Sequence, residues 1–259
     1  MEAAITGLVL AGAAAFIAGI VNALAGGGTL ITFPVLVATG IPEVAANITN
    51  TVALCPGYFG GAIAQRRDLE GQGRRLRIFF PVAVLGGIGG GALLLFISAQ
   101  VFHIVVPFLI LAAALLLALQ DRVRGWIESR AGIRKTGDDG SASAIVPLGL
   151  TAAYNGYFGA GGSVLIVAVL GLFLHDTMSR LNALKQCITL SANLAAAIFF
   201  LFSGSIVWPV ALVMALCALA GGAAGGKLAG QVRPDTLRWT VVATGTIIGA
   251  VLLVRLWAG

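Results

Sequence analysis

Charged residues are confined to short segments of this chain, and long apolar stretches separate them. No charged residue lies between Glu2 and Glu43. The other charge-free stretches are residues 79–120, 142–174, 186–226 and 239–254. A transmembrane helix needs about 20 apolar residues, so each of the longer stretches has room for two membrane elements. The pattern therefore predicts an all-α polytopic membrane protein.

Turn residues and polar links divide these stretches into two similar sets of helices. In the first half we predict one element interrupted by glycines and three further helices, at residues 5–39, 42–65, 78–98 and 102–119. In the second half the same order is predicted at residues 144–174, 177–202, 208–229 and 234–256. We therefore expect a first membrane repeat at 1–120, a cytoplasmic linker at 121–142 and a second membrane repeat at 143–259.

Several motifs recur at matching places in the two halves, which indicates an internal duplication. Gly27, Gly28 and Thr29 match Gly161, Gly162 and Ser163, and an asparagine precedes each set, at Asn22 and Asn155. Further matches are Asn47 with Asn182, Pro81 with Pro209, and the glycine-rich runs 86–91 and 221–226. The interpretation of those two runs is close helix packing.

The distribution of basic residues favours an inverted relation between the repeats. The loop at 66–77 holds five arginines, whereas the matching link at 203–207 has no charge. In the second half the basic residues flank the following link instead, at Lys227, Arg233 and Arg238. Since basic loops lie on the cytoplasmic side, the two halves have opposite orientations if each glycine-broken element is a hairpin followed by three full crossings. Eight plain crossings in two parallel repeats are the alternative, and Arg255 favours it.

Composition supports the membrane class and restricts the function. The chain has 59% hydrophobic and 10% charged residues, against about 25% charged residues in soluble domains. The net charge of +6 is explained by basic loops, so no nucleic-acid partner is expected. The sequence has no phosphate-binding loop and no zinc or serine-hydrolase motif, so we expect neither an enzyme nor a cofactor or metal site.

The two glycine interruptions are the strongest indication of a binding site. An interrupted helix in a membrane is tolerated where protein or a cavity satisfies its free backbone groups. The start of the half-helix that follows such a break carries free N–H groups and a positive dipole, which suit an anion. We expect Thr29 and Ser163 to be the N-caps of these half-helices, and the two ends to form a symmetric anion site. Close packing of helices is the other interpretation.

Lys185 lies inside an apolar stretch, about two turns into its predicted helix. A lysine at membrane depth costs on the order of 3 kcal/mol, and such residues usually mark a transport pathway or a buried partner. The sequence places no carboxylate within helical reach except Asp176, so a bound anion is a candidate partner. Snorkelling of the side chain to the cytoplasmic interface is the alternative.

The motifs around these residues resemble those of the sulfite exporter TauE/SafE family, and the resemblance covers essentially the whole chain. They are NALAGGGTLI from Asn22, ANITNT from Ala46 and NGYFGAGGS from Asn155. The resemblance implies a permease of the bacterial inner membrane for sulfite, organosulfonates or related sulfur-containing anions.

We therefore expect a transporter, in the exporter direction, that works by alternating access around the two glycine breaks. The substrate-binding residues we predict are Asn22, Gly27, Gly28, Thr29, Asn47, Asn50, Asn155, Gly161, Gly162, Ser163, Asn182, Lys185 and Gln186. An anion channel and a membrane assembly factor without transport activity are the alternatives. Membrane lipid and a small anion are the expected partners, and the sequence leaves a homodimer open.

Overall fold

The computed structural model describes residues 2–24, 26–130, 141–228 and 235–258. Within these ranges the regular structure is helical, as predicted. The helices of the first half and the linker are α1 (Glu2–Leu24), α2 (Thr29–Ala38), α3 (Glu43–Ala64), a short 3-10 helix (Arg66–Leu69), α4 (Gly73–Phe96), α5 (Ala99–Ala118) and α6 (Gln120–Arg130). Those of the second half are α7 (Ser141–Tyr157), α8 (Gly162–Phe173), α9 (Met178–Phe200), α10 (Trp208–Leu228) and α11 (Asp235–Ala258).

Six of these helices contain segments long and apolar enough to cross a membrane. The segments lie in α1, α4, α5, α9, α10 and α11. Helix α3 is equally long but less apolar, because it contains Asn47, Asn50 and neighbouring threonines. These polar side chains are buried inside the protein. The multi-pass membrane class predicted from the sequence is therefore confirmed.

Each glycine-broken element consists of a long helix and a short helix. In the first half α2 folds back along α1, so that a Cβ at Gly7 would lie 3.6 Å from Thr39 Cγ2. Gly26 and Gly27 have φ values of 93°, a conformation that glycine adopts without steric cost, and they make the reversal possible. The start of α1 and the end of α2 therefore lie on the same side, and the element is a hairpin.

The two halves interlock through their glycine-rich helices. Helix α4 of the first half packs on α7 and α9 of the second half, and α10 packs on α1 and α3. A Cβ at Gly87 would overlap the Ala192 carbonyl, and a Cβ at Gly222 would overlap the Gly57 carbonyl. The interpretation of these two glycine-rich runs as close-packing surfaces is thus confirmed.

Helix ends from both halves of the chain meet on one side of the molecule, in the arrangement that an inverted repeat predicts. Residues from the end of α3, the start of α9 and the end of α10 line one cavity. The start of α4 lies on that side too, since Gln72 Nε2 donates to the Arg180 carbonyl at 3.0 Å. These contacts support the inverted topology, which together with its orientation in the membrane stays a prediction.

The predicted linker contains a helix that the sequence analysis did not identify. In α6, Arg124 Nε lies 2.9 Å from Glu128 Oε1, an i,i+4 pair that supports an exposed helix. Ile127 on this helix is buried against Gly171 of α8. The rest of the linker, at 131–140, lies outside the described residues, as does Arg233.

Candidate functional site

The C-terminal end of α1 is the point where side chains of several helices converge. Gln186 Nε2 donates to the carbonyls of Asn22 and Ala23, at 3.3 Å each. Asn182 Nδ2 donates to the Ala23 carbonyl at 3.3 Å and to Gln65 Oε1 at 2.7 Å. The last carbonyls of a helix have no partner within it, so these amides satisfy groups that would otherwise be unpaired inside the membrane.

Lys185 is buried at the same place, with an exposed fraction of 2%. Its Nζ donates to the Asn22 carbonyl at 3.4 Å, and no carboxylate of the described residues forms an ion pair with it. An ammonium group has three donors, so one long hydrogen bond leaves it incompletely satisfied. The side chain is thus buried inside the protein beside the first glycine break, and it does not reach the interface.

The start of α2 is closed by side chains of its own half. Asn22 Oδ1 accepts a hydrogen bond from the Gly28 N–H at 2.8 Å. Asn50 Nδ2 donates to Thr29 Oγ1 at 3.3 Å, and Asn50 Oδ1 accepts from Thr32 Oγ1. The Gly28 N–H and the Thr29 hydroxyl are therefore used within the protein, whereas the Thr29 N–H has no hydrogen-bond partner among the described residues.

The start of α8 differs in that its hydroxyl group is also without a hydrogen-bond partner among the described residues. Ser163 is buried, and within the described part of the chain neither its hydroxyl nor its backbone N–H has a hydrogen-bond partner. A Cβ at Gly26 would overlap Ser163 Oγ, so the first break lies directly against the start of the second half-helix. Lys185 thus contacts Asn22 before the first break, and Ser163 lies against Gly26 within it.

The predicted N-caps were wrong. Gly28 and Gly161 occupy the N-cap positions of α2 and α8, and neither helix has a side-chain cap hydrogen bond. Gly28 already has helical dihedral angles, so α2 begins one residue earlier than a Thr29 cap requires. The Gly28 N–H donates to Asn22 Oδ1, in the last turn of α1.

Four other predicted residues lie around the breaks in structural positions. Asn47 Nδ2 donates to the Tyr157 carbonyl at the end of α7, at 2.8 Å, which mirrors the contact of Asn182 with α1. Asn155 Nδ2 donates to the Thr151 carbonyl, at 2.9 Å. Gly27 and Gly161 contact Leu117 and Ala113 of α5, respectively. These two glycines therefore face an apolar helix rather than the polar groups at the end of α1.

Gly162 lies against the Asn155 side chain at the second break. Its Cα lies so close to the Asn155 side chain that a Cβ would sit 2.5 Å from Asn155 Nδ2. The Asn155 Oδ1 atom is buried and has no partner among the described residues. The second break thus retains unpaired polar atoms on both sides of Gly162.

A cavity of about 470 Å³ leads from the basic side of the molecule toward this region. Gln65 and Asn182 are among the polar residues that line it, and Lys185 lies about one helical turn beyond Asn182 on α9. The charged residues that line it are Arg67, Asp68, Asp121, Arg124, Lys227 and Arg238. Four basic and two acidic side chains leave a formal excess of two positive charges, which favours the entry of anions.

The Asp121 carboxylate in this cavity forms an ion pair with Arg238. Arg238 is buried and donates two hydrogen bonds to the Asp121 carboxylate. The hydrogen bond from Arg238 lowers the pKa of Asp121 below its ordinary value, partial burial opposes this, and the positive charges of Arg238 and Arg124 lower it further. Asp121 therefore stays ionised at neutral pH and offsets the charge of Arg238.

An ion-pair cluster fastens α9 to α4 at the same side of the molecule. The Asp176 carboxylate lies 2.5 Å from Arg75 Nη1 and 2.9 Å from Arg180 Nε. Burial alone would raise the pKa of Asp176, but hydrogen bonds from Arg75, the Thr177 amide and Arg180 outweigh it and lower the pKa. The cluster fixes the start of the helix that carries Lys185.

Gln65 is a residue of this site that the sequence analysis missed. It lies just after the end of α3, and its amide contacts Asn182 and, at 3.5 Å, the Ala23 carbonyl. It has no polar counterpart in the second half, so the repeat gave no signal for it. The signal in the sequence was only an uncharged polar residue at the boundary between an apolar stretch and an arginine-rich loop.

Comparison with known proteins identifies relatives along nearly the whole chain. The family model described as Sulfite exporter TauE/SafE matches residues 11–252. The chain is 24% identical to the probable membrane transporter protein YfcA of Escherichia coli strain K12, over 92% of this chain and 87% of the relative. It is 27% identical to the probable membrane transporter protein ORF9 of a Sinorhizobium species, over 95% and 94%. No solved structure matches the chain significantly.

Proposed function

Because the chain belongs to the sulfite exporter TauE/SafE family, we propose that it exports a small sulfur-containing oxyanion, such as sulfite or an organosulfonate, across the bacterial inner membrane. The family and the apolar helices make it a multi-pass membrane transporter. The substrate class and the mechanism are the proposal.

The observation that carries this proposal is the burial of the Lys185 amine. An ammonium group inside a membrane protein is costly unless an anion or several acceptors compensate it, and the described residues offer it one carbonyl, at 3.4 Å. Ser163 provides an unpaired N–H and an unpaired hydroxyl at the positive end of α8, against the same glycine break. An oxyanion bound between Lys185 and Ser163 would satisfy all three groups.

The other predicted residues support this site indirectly. Asn182 and Gln186 saturate the carbonyls at the end of α1, which removes acceptors that would repel an anion. Asn50 contacts the Thr29 hydroxyl, so of the two hydroxyl groups at the half-helix ends only that of Ser163 remains without a partner among the described residues. The proposed site is therefore asymmetric, although the fold that contains it is built from two similar halves.

The cavity on the basic side supports loading from the cytoplasm. Its excess of positive charge attracts anions, and it ends at the hydrogen bond between Gln65 and Asn182, one turn from Lys185. Separation of these two amides would connect the cavity to the proposed site. Export needs no coupling ion, since a monoanion that leaves a negatively charged interior gains about 2.3 kcal/mol per 100 mV.

Counterflow in proteoliposomes tests the proposal. Vesicles that contain the purified protein are loaded with unlabelled sulfite, and the uptake of external radiolabelled sulfite is followed. Alternating access predicts faster initial uptake than in unloaded vesicles, because the internal substrate returns the site to the outside. Uptake that is independent of loading would indicate a channel, and uptake no faster than in protein-free vesicles would reject sulfite as the substrate.

A further inference from the structure

An apolar groove on the membrane-facing side of α4 and α9 carries a single cation at one end. The groove has a volume of about 640 Å³. It is lined by Leu76, Arg77, Phe80, Cys187, Ile188 and Leu190, with Ser191 at its far end. Both helices contain membrane-spanning segments, so the medium that borders this groove is lipid rather than water.

The register of the two helices gives the groove its direction. A Cβ at Gly87 would overlap the Ala192 carbonyl, so Ser191 lies at nearly the same depth as Gly87. Arg77 precedes Gly87 by ten residues, which is about 15 Å along a helix. The groove therefore runs from a cation near the surface to an apolar end deeper in the membrane, with the dimensions of part of an acyl chain.

Arg77 is the charged group at the mouth of this groove. It is the fifth residue of α4, its side chain is exposed, and within the described residues it has no ion pair or hydrogen bond. Arg75, two residues earlier, is by contrast held by Asp176. The guanidinium of Arg77 is thus available near the start of the membrane-spanning segment of α4, and it matches a phosphate in charge and geometry.

We propose that this groove binds one anionic phospholipid, with the phosphate on Arg77 and an acyl chain between α4 and α9. The hydroxyl of Ser191 does not compete for the headgroup, because it already donates to the Cys187 carbonyl at 2.7 Å. The bound lipid would bridge a helix of the first half and a helix of the second half. It therefore stabilises the contact between the halves on the outer face of the helix that carries Lys185.

The site breaks the repeat symmetry of the molecule. With Pro81 matched to Pro209, the counterpart of Arg77 is Ser205, which carries no charge. The matching position of the other half thus lacks the headgroup contact, and we expect one specific lipid per chain on the basic side.

Thermal stability with defined lipids tests this site independently of transport. The purified full-length protein is titrated with phosphatidylglycerol or with phosphatidylcholine of the same acyl chains. Phosphatidylglycerol should raise Tm by about 3 °C or more above phosphatidylcholine in the wild type, because a ligand of the folded state stabilises it. Arg77→Gln should lose this difference, whereas Arg66→Gln, which removes an equally exposed arginine from the same side, should keep it.

A second variant tests the contribution of the groove separately from that of the headgroup contact. Cys187→Phe fills the groove while Arg77 is retained, so it too should lose the effect of phosphatidylglycerol, provided that its Tm without lipid matches the wild type. Glycerol phosphate without acyl chains should give no shift. Equal shifts with both lipids, an undiminished shift in Arg77→Gln or Cys187→Phe, or a full shift with glycerol phosphate would each overturn the proposal.

Discussion

The two glycine breaks have nearly the same sequence but different surroundings. At the first break Asn22 caps the Gly28 N–H, Asn50 contacts Thr29, and three side chains of α9 satisfy the end of α1. At the second break the Ser163 amide and hydroxyl and Asn155 Oδ1 have no partner among the described residues. Two ends with similar motifs thus differ in which of their polar side chains are paired, because side chains from distant parts of the chain contact one of them.

The largest expected effect is that of Lys185→Met on sulfite flux. Loss of one partner of a buried charge interaction costs about 2 kcal/mol or more, which corresponds to roughly 30-fold in affinity. The variant should fold as well as the wild type, or better, in the absence of substrate, because an incompletely paired buried charge is removed. Flux in proteoliposomes and Tm of the substrate-free protein check the two parts.

Arg66→Gln is the control for this variant, since Arg66 is an exposed basic residue on the same side. It should retain wild-type flux. Undiminished flux in Lys185→Met would remove Lys185 from the proposed site, and a large loss of Tm would assign it a structural role.

The next largest effect should distinguish the two half-helix ends. Ser163→Ala removes an unpaired buried hydroxyl from the open end, and we expect a loss of affinity of about tenfold, as for a hydrogen bond to a charged group. Thr29→Val at the closed end should change the affinity less than about twofold, because that hydroxyl already contacts Asn50. Concentration dependence of flux measures both, and equal losses would support the symmetric site instead.

The two glycine breaks can also be compared by how much their asparagines contribute to stability, rather than to substrate binding. Asn22→Ala leaves the Gly28 N–H uncapped, at a cost of about 1–2 kcal/mol, and should lower Tm by about 2–6 °C. Asn155→Ala should cost less than half as much, since Asn155 Oδ1 has no partner and its amide bonds a carbonyl within its own helix. A larger loss in Asn155→Ala would show that the second break is the better satisfied one.

The smallest effect concerns the ion-pair cluster at the start of α9. The folded-state pKa of Asp176 is depressed, so its contribution to stability is present above its unfolded pKa of about 3.9 and is lost as the pH falls through the lower folded value. Wild-type Tm should therefore change little between pH 7 and pH 5 through this group and should fall below about pH 4. Asp176→Asn should have a lower Tm at neutral pH and a shallower decrease in acid. Parallel curves for the two proteins would contradict this role.

Helix positions and the glycine breaks could be predicted because they depend on local sequence. Charge-free stretches marked the membrane helices, and the glycines within two overlong stretches marked the reversals. Helix α6 was missed because the linker was interpreted from its charges alone. The signal was nevertheless present, since Val123 and Ile127 are apolar residues four positions apart on one helix face.

The details of the site depend on contacts between residues far apart in the chain. Lys185 was identified from the cost of a charge in an apolar stretch, but its carbonyl partner is 163 residues away. Gln65 was not predicted, because its contact with Asn182 joins residues that are 117 positions apart in the chain. The N-cap predictions were incorrect because α2 and α8 begin earlier than the hydroxyl residues suggested, with Gly28 and Gly161 at the N-cap positions.

Thermal stability of the detergent-purified protein across a panel of anions tests the central claim most directly. The panel contains sulfite, sulfate, sulfoacetate, taurine, acetate and chloride, with wild-type protein and Lys185→Met side by side. Binding to the folded state raises Tm, so sulfite or a sulfonate should stabilise the wild type, and Lys185→Met should lose most of that shift. The absence of a shift with every anion, or an equal shift in both proteins, would contradict an anion site at Lys185.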